Sequence, residues 1–121
     1  MAKLLALNPA KGFHKCECKD LDDFYRELEC GVFDIATRKI GGKYFDIFCD
    51  DIGLFKDNNP VSAVDKDLKP MLVGNLIFAN HDDQGNTTSL DEDDMIKILS
   101  SYCFLYDPKA GRVLVAVKCD Y

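Results

Sequence analysis

The chain has 121 residues, of which 47% are hydrophobic and 30% charged, and its formal net charge is −6 at pH 7. This length accommodates one hydrophobic core, and the composition is typical of a globular domain rather than a disordered tail. The acidic balance argues against direct nucleic-acid binding, which requires a basic face to displace counterions from phosphates. We therefore expect a single domain over residues 1–121.

The apolar segments are too short for a membrane protein. The longest uncharged stretch, residues 70–80, is far below the roughly 20 residues that cross a bilayer. The N-terminal apolar run, residues 3–7, lacks the long core and cleavage site of a signal peptide, and it predicts a strand instead. We expect a cytoplasmic protein without membrane association.

The first half of the chain predicts three further strands and a helix. A second strand covers residues 13–19, and Asp20 is a suitable N-cap for the helix that follows. Gly31 fits a left-handed stop after this helix. Residues 32–40 and 43–50 form a hairpin around Gly41 and Gly42, which permit the positive φ of a two-residue turn. The helix has an apolar stripe at helical spacing, formed by Leu21, Phe24, Tyr25 and Leu28.

The second half predicts a long loop, a central strand, a helix and a hairpin. Residues 57–69 are mostly polar and predict a loop, and residues 71–79 predict a central strand with a bulge or close approach at Gly74. Asp91 and Asp94 form an acidic capping box for the second helix. Residues 103–106 and 112–118 form the terminal hairpin. The buried stripe of the second helix is expected to contain Met95, Ile98, Leu99 and Tyr102.

These elements predict an α+β fold. We expect a mixed, mostly antiparallel sheet of about six or seven strands, with two helices packed on it and a C-terminal β-hairpin.

Six cysteines and two histidines carry the reactive side chains. Cys16 and Cys18 alternate with charged residues, so they share a strand face with His14 and are expected to be buried there. The only close cysteine pair lacks the Cys-x-x-Cys spacing of a zinc site, and no calcium-loop spacing is present. A Cys–His nucleophile on this face would need an oxyanion loop and an orienting group that the sequence does not show. We expect reduced thiols, a packed His14, no catalytic residue, no metal and no cofactor.

One segment favours binding over a purely structural role. Apolar side chains alternate with acids beside a proline-containing loop, which is typical of a partly exposed patch that recognises a protein or a small ligand. The candidate partner-binding residues are Phe48, Asp50, Asp51, Ile52, Leu54, Phe55, Asp57 and Asn59.

The chain resembles the phage and mobile-element family called domain of unknown function 3846. The resemblance covers residues 3–99 and leaves residues 100–121 as a hairpin extension. It rests on a first strand ending at Asn8-Pro9, on the Asp20 helix closing at Gly31, and on the strand of residues 32–35. Further matches are residues 49–54, Asn59, residues 73–78 and the helix start at residues 89–93. The chain departs from the family at residues 62–69 and in its aspartate-rich turn.

The resemblance implies a phage or conjugative-element context, near antirestriction-type genes, and assigns no catalytic residue. We expect a non-enzymatic accessory protein that binds a host protein in the host cytoplasm, as a counter-defence inhibitor. The alternative is a small-molecule or nucleotide-signal binding protein, with residues 57–69 as a lid. The sequence is also compatible with a homo-oligomer.

Overall fold

The computed structural model describes residues 2–50, 60–108 and 111–121, which form ten strands and two helices. In chain order they are β1 (Ala2–Asn8), β2 (Gly12–Cys18), α1 (Leu21–Leu28), β3 (Phe33–Ile40), β4 (Lys43–Asp50), β5 (Val61–Val64), β6 (Pro70–Val73), β7 (Leu76–His81), β8 (Thr87–Thr88), α2 (Glu92–Leu99), β9 (Tyr102–Asp107) and β10 (Arg112–Lys118).

The described strands form two sheets. Sheet A has the order β2-β1-β7-β4-β3, with β8 attached to β7, and sheet B has the order β6-β5-β10-β9. The described pairings are antiparallel except for the parallel pair β5–β10. The predicted α+β class, the mostly antiparallel pairing and the C-terminal hairpin are confirmed. The strands are more numerous than the six or seven expected, and they divide into two sheets.

Sheet A is buried on both faces. Because successive side chains of a strand point to opposite sides, its apolar residues divide between two clusters. One face packs on α1 through a cluster made of Leu4, Ala6, Cys16, Cys18, Phe24, Leu28, Phe48, Ile77 and Ala79. The other face packs on sheet B and α2. Its cluster contains Leu5, Leu7, Ile40, Phe45, Ile47, Cys49, Ala63, Leu76, Phe78, Leu90, Met95, Ile98, Val117 and Cys119. Sheet A is therefore the middle layer of the molecule.

Local turn and cap signals are largely confirmed. The Asp20 side chain accepts the N–H of Asp23 at the start of α1. Gly41 and Gly42 both have positive φ, as a tight turn between β3 and β4 requires. The left-handed residue after α1, however, is Glu29 with φ 55°, and the predicted stop at Gly31 is wrong. The helix ends at Leu28, so its capping position falls two residues before the glycine.

Two predictions in the middle of the chain are wrong. Residues 61–64 of the predicted loop form β5, while residues 57–59 lie outside the described residues. The predicted central strand of residues 71–79 is two strands in different sheets, because Gly74, with φ 78°, turns the chain between β6 and β7. The Asp65 side chain accepts the N–H groups of Asp67 and Lys69 and forms the turn that joins β5 to β6.

Helix α2 is shorter than its predicted stripe. Met95 and Ile98 are buried as expected, whereas Leu99 and Tyr102 are exposed. The helix ends at Leu99, so Tyr102 already belongs to β9, where its side chain follows the period of a strand. Within the described ranges, neither helix has the length and apolarity that a bilayer crossing requires.

Asp94 connects α2 to sheet A. Its carboxylate, 2% exposed, accepts hydrogen bonds from Lys43 Nζ at 2.6 Å and from Asn80 Nδ2 at 2.7 Å. It also completes the predicted capping box with Asp91. Burial opposes its ionisation, but these hydrogen bonds outweigh burial and hold the pKa of Asp94 below its usual value.

We predict that Asp94→Ala lowers the free energy of unfolding by about 3 kcal/mol, because it removes the hydrogen bonds that Lys43 and Asn80 donate to this carboxylate and half of the capping box. Urea denaturation measures this loss, with the exposed first-turn variant Asp93→Ala as the matched control at below about 1 kcal/mol.

Because folding lowers the pKa of Asp94, the stabilisation by its carboxylate is complete above the pKa of the unfolded chain, about 3.9, and is lost as the pH falls through the pKa in the folded protein. The gap between wild type and Asp94→Asn should therefore narrow below about pH 4; a gap independent of pH would contradict this account.

Candidate functional site

The described part of the predicted binding segment begins in the core. Phe48 is 3% exposed, and its ring centroid lies 4.6 Å from that of Phe24 and 5.5 Å from that of Phe33. Phe48 therefore fills the layer between α1 and sheet A and is not part of a surface patch. Asp50 is half-buried at the end of β4, opposite Phe33. The other six candidates, Asp51, Ile52, Leu54, Phe55, Asp57 and Asn59, lie outside the described residues.

The cysteines form no disulfide bonds, and four of the six are buried. Cys16 and Cys18 lie on the face of β2 that packs on α1, as predicted. Burial, with the nearby Cys18 thiol and the Glu27 carboxylate, raises the pKa of Cys16 to about 12. Burial likewise raises the pKa of Cys119 to about 11. Since the thiolate is the nucleophilic form, these thiols are unreactive near neutral pH.

Both histidines pair with carboxylates at the surface. His14 Nε2 lies 2.9 Å from Glu27 Oε2, and His81 Nδ1 lies 2.9 Å from Asp46 Oδ2. His14 shares the Cys16 face of β2, but its side chain is 48% exposed, so the prediction of a packed His14 is wrong. Its position near the beginning of β2 lets it meet Glu27 of α1 at the rim of the core instead of inside it.

His14 lines a surface depression of about 240 Å³ between β1, β2 and α1. Its charged and amide groups are Asn8, Lys11, His14, Arg26, Glu27, Glu29 and Asn75. Asn75 Nδ2 donates to Glu29 Oε2 at 2.9 Å, so part of this polar rim is already paired within the protein. The lining contains no serine, threonine or cysteine that His14 could activate as a nucleophile. Among the described residues, no three histidine, cysteine or acidic side chains are grouped as a metal site.

The terminal hairpin carries a different kind of surface. Tyr102, Phe104 and Tyr106 of β9 are 54%, 64% and 68% exposed, and Val113 of β10, opposite Tyr106, is 57% exposed. We call these four residues the hairpin surface. The rings of Tyr102 and Phe104 meet edge to face, with centroids 5.3 Å apart. Adjacent exposed side chains of this size are typical of interaction sites on soluble proteins.

Sequence reasoning missed the hairpin surface, although a signal was present. Aromatic residues recur at every second position from residue 102 to residue 106, the period of one strand face. Val115 and Val117 on the same face of β10 are increasingly buried toward the core, which ends before it reaches the tip of the hairpin. The pattern gives the shared face, and only the fold shows that this face lies outside the core.

The comparisons with known proteins identify one relationship. The model of the family described as domain of unknown function 3846 matches residues 2–103. The chain belongs to this family. No curated protein and no solved structure matches the chain.

The domain of unknown function 3846 match ends inside β9. It therefore includes sheet A, both helices, β5 and β6, whereas Phe104, Tyr106 and Val113 of the hairpin surface follow it in the chain. The hairpin is nevertheless built into the fold. β10 lies between β5 and β9, and Val117 and Cys119 belong to the core shared with sheet A.

We predict that thiol labelling of the native protein near neutral pH modifies the half-buried Cys30 and Cys103 first. The buried Cys16, Cys18, Cys49 and Cys119 should react only after unfolding, because burial excludes the reagent and, for Cys16 and Cys119, suppresses the thiolate. Mass spectrometry of the alkylated peptides measures the order, and the urea-unfolded protein gives the reference for complete labelling. Rapid modification of Cys16 in the folded protein would contradict the assignment.

Proposed function

We propose that this member of the domain of unknown function 3846 family is a non-enzymatic accessory protein of a phage or mobile element. It binds a host protein in the host cytoplasm through the hairpin surface and acts as a counter-defence inhibitor of the antirestriction type. The exposure of three aromatic side chains and one valine on one face of the β9–β10 hairpin carries the proposal.

The chemistry of the remaining side chains supports binding over catalysis. Raised pKa values keep Cys16 and Cys119 as thiols, and His14 and His81 each face a carboxylate. A histidine–carboxylate pair contributes to acyl transfer when the histidine activates a nucleophile, and the His14 depression offers no such group in its lining. Aromatic side chains, in contrast, are the residues that dominate binding energy in protein interfaces.

The net charge of −6 adds a condition on the partner. A protein surface with basic residues around an apolar groove would be attracted at long range and would then bury the aromatic side chains. This favours a basic docking face, such as that of a nucleic-acid-binding defence protein, over an acidic one.

We predict that a photoreactive residue at position 106 or 113 cross-links the same host protein. A photoreactive residue at Tyr44, an exposed aromatic position in sheet A, is the matched control and should not capture it. With the purified partner, Val113→Asp should weaken binding by about tenfold or more, because it places a charge in the apolar contact, while Tyr44→Ala leaves the affinity unchanged.

The biological half of the test is phage growth on defence-bearing cells, with and without expression of each variant. Wild type and Tyr44→Ala should restore growth, and Val113→Asp should not. Equal cross-linking at all three positions, or equal restoration by Val113→Asp, would refute the hairpin surface as the binding site.

A small-molecule binding protein is the second candidate, because the His14 depression brings Lys11 and Arg26 to one opening. Its volume of about 240 Å³ is below the roughly 300–1,000 Å³ of ordinary ligand pockets, and Glu27 and Glu29 oppose a phosphate there. Residues 61–64 also cannot belong to the proposed lid of residues 57–69, because they pair with β10 and β6 inside sheet B.

We therefore predict no change in melting temperature when nucleotides are added in a thermal-shift measurement. A saturating rise for one nucleotide, abolished by Lys11→Ala but retained by Lys66→Ala, an exposed lysine remote from the lining, would favour the second candidate instead.

A further inference from the structure

Strand β9 forms an outer edge of sheet B. Sheet B has the order β6-β5-β10-β9, and no strand of the described chain pairs with the outer side of β9. An edge strand presents a row of backbone N–H and C=O groups, which another strand can use to extend the sheet.

The backbone groups that point outward can be identified from the hydrogen bonds around β10. Lys118 N–H donates to Ser101 O at 2.8 Å, toward β9, and Val115 N–H donates to Pro9 O at 2.8 Å, away from β9. Hydrogen-bonded and non-hydrogen-bonded pairs alternate along an antiparallel ladder. In the register of β9 and β10, the backbone N–H and C=O groups of residues 103, 105 and 107 therefore point toward β10. The N–H and C=O groups of Tyr102, Phe104 and Tyr106 face outward.

The β9 edge lacks the features that block edge pairing. Among the other outer strands, β2 carries Lys15 and Glu17, β3 carries Arg38 and Lys39, and β6 begins with Pro70. Charges and proline are the usual protection of an exposed edge. From residue 102 to residue 106, β9 contains neither.

We propose that β9 pairs in antiparallel orientation with β9 of a second copy of this chain, about a two-fold axis at Phe104. This register opposes Phe104 to Phe104 and Tyr102 to Tyr106 of the second copy. It is the one register that uses the outward groups of all three residues, and it forms about six backbone hydrogen bonds. The pairing joins the two copies of sheet B into one sheet.

The charges at the ends of β9 complement this arrangement. Asp107 lies level with Ser101 of the second copy, and Lys118 of that copy occupies the next strand on the same face. Each Asp107 is thereby placed between Arg112 of its own chain and a lysine from the other. No like charges meet along the paired strands, so the net charge of −6 per copy opposes the dimer only through screened, long-range repulsion.

This inference goes beyond the proposed function, because it uses the edge of β9 and leaves the side-chain face open. In the dimer the aromatic residues of the two copies adjoin on one face, which doubles the hairpin surface. A partner that binds the hairpin surfaces of both copies at once would gain affinity, because the two binding sites are linked.

The test is the molar mass in solution, measured by light scattering and by sedimentation. Wild type should have twice the mass of one chain. Phe104→Lys and Phe104→Glu should each raise the dimer dissociation constant by about 100-fold or more, because residue 104 meets itself across the axis and places like charges together. An equimolar mixture of the two variants should recover a heterodimer. Tyr44→Lys, a matched exposed aromatic position, should remain dimeric.

A second variant keeps the proposal testable if a charge at position 104 disturbs the fold. Phe104→Cys places two sulfur-bearing positions across the axis with Cα atoms about 5.5 Å apart, within the range that a disulfide spans. Mild oxidation should link Cys at position 104 to itself, identified by mass spectrometry, whereas Val113→Cys should not form this link.

A monomeric wild type, a mixture that stays monomeric, or a dimer that persists in Phe104→Lys would overturn the pairing. Failure of the proposed function is distinguishable. Val113→Asp lies on β10, away from the edge, so it should weaken host-protein binding without changing the mass of the dimer.

Discussion

The burial of sheet A on both faces is the constraint from which the rest of the structure follows. A strand that carries apolar side chains on both faces is stable only when both faces are covered. Here α1 covers one face, and sheet B with α2 covers the other. For this reason Phe48 and Phe45, on opposite faces of β4, pack in different clusters: Phe48 against α1, and Phe45 on the side of sheet B and α2. The thiols of Cys16 and Cys18 serve the same purpose as small apolar groups under α1.

Sheet B does not have the same two-sided cover along its whole length. Val117 reaches the shared core, while Val113, four residues earlier on the same strand face, is exposed near the tip of the hairpin. The aromatic residues of β9 share this face, and they too lie outside the core. The exposure of the hairpin surface is thus a consequence of a hairpin that extends past the layer on which it packs.

Two of the polar links between layers have different chemical characters. Asp94 is a buried carboxylate that holds α2 against Lys43 and Asn80, so α2 is fixed by charge-assisted hydrogen bonds as well as by Met95 and Ile98. The segment after β10 uses the backbone instead. Asp120 N–H donates to Lys39 O and Lys39 N–H donates to Tyr121 O, which ties this segment to the edge of sheet A, while Cys119 N–H donates to Val64 O within sheet B. Together these links join α2 and the segment after β10 to sheet A.

The sequence by itself determined the local elements of this protein. Asp20 and Asp91 start helices because a short acidic side chain satisfies the first N–H groups wherever it precedes an apolar stripe, and Gly41-Gly42 turns the chain because glycine accepts positive φ. Only the tertiary structure decided how the strands divide between two sheets. Gly74 separates β6 from β7 although residues 71–79 form one apolar run, because the period of a strand carries no information about its partner. The exposure of Tyr102, Phe104 and Tyr106 has the same cause: alternation assigns residues to a face, and long-range packing determines whether that face is covered.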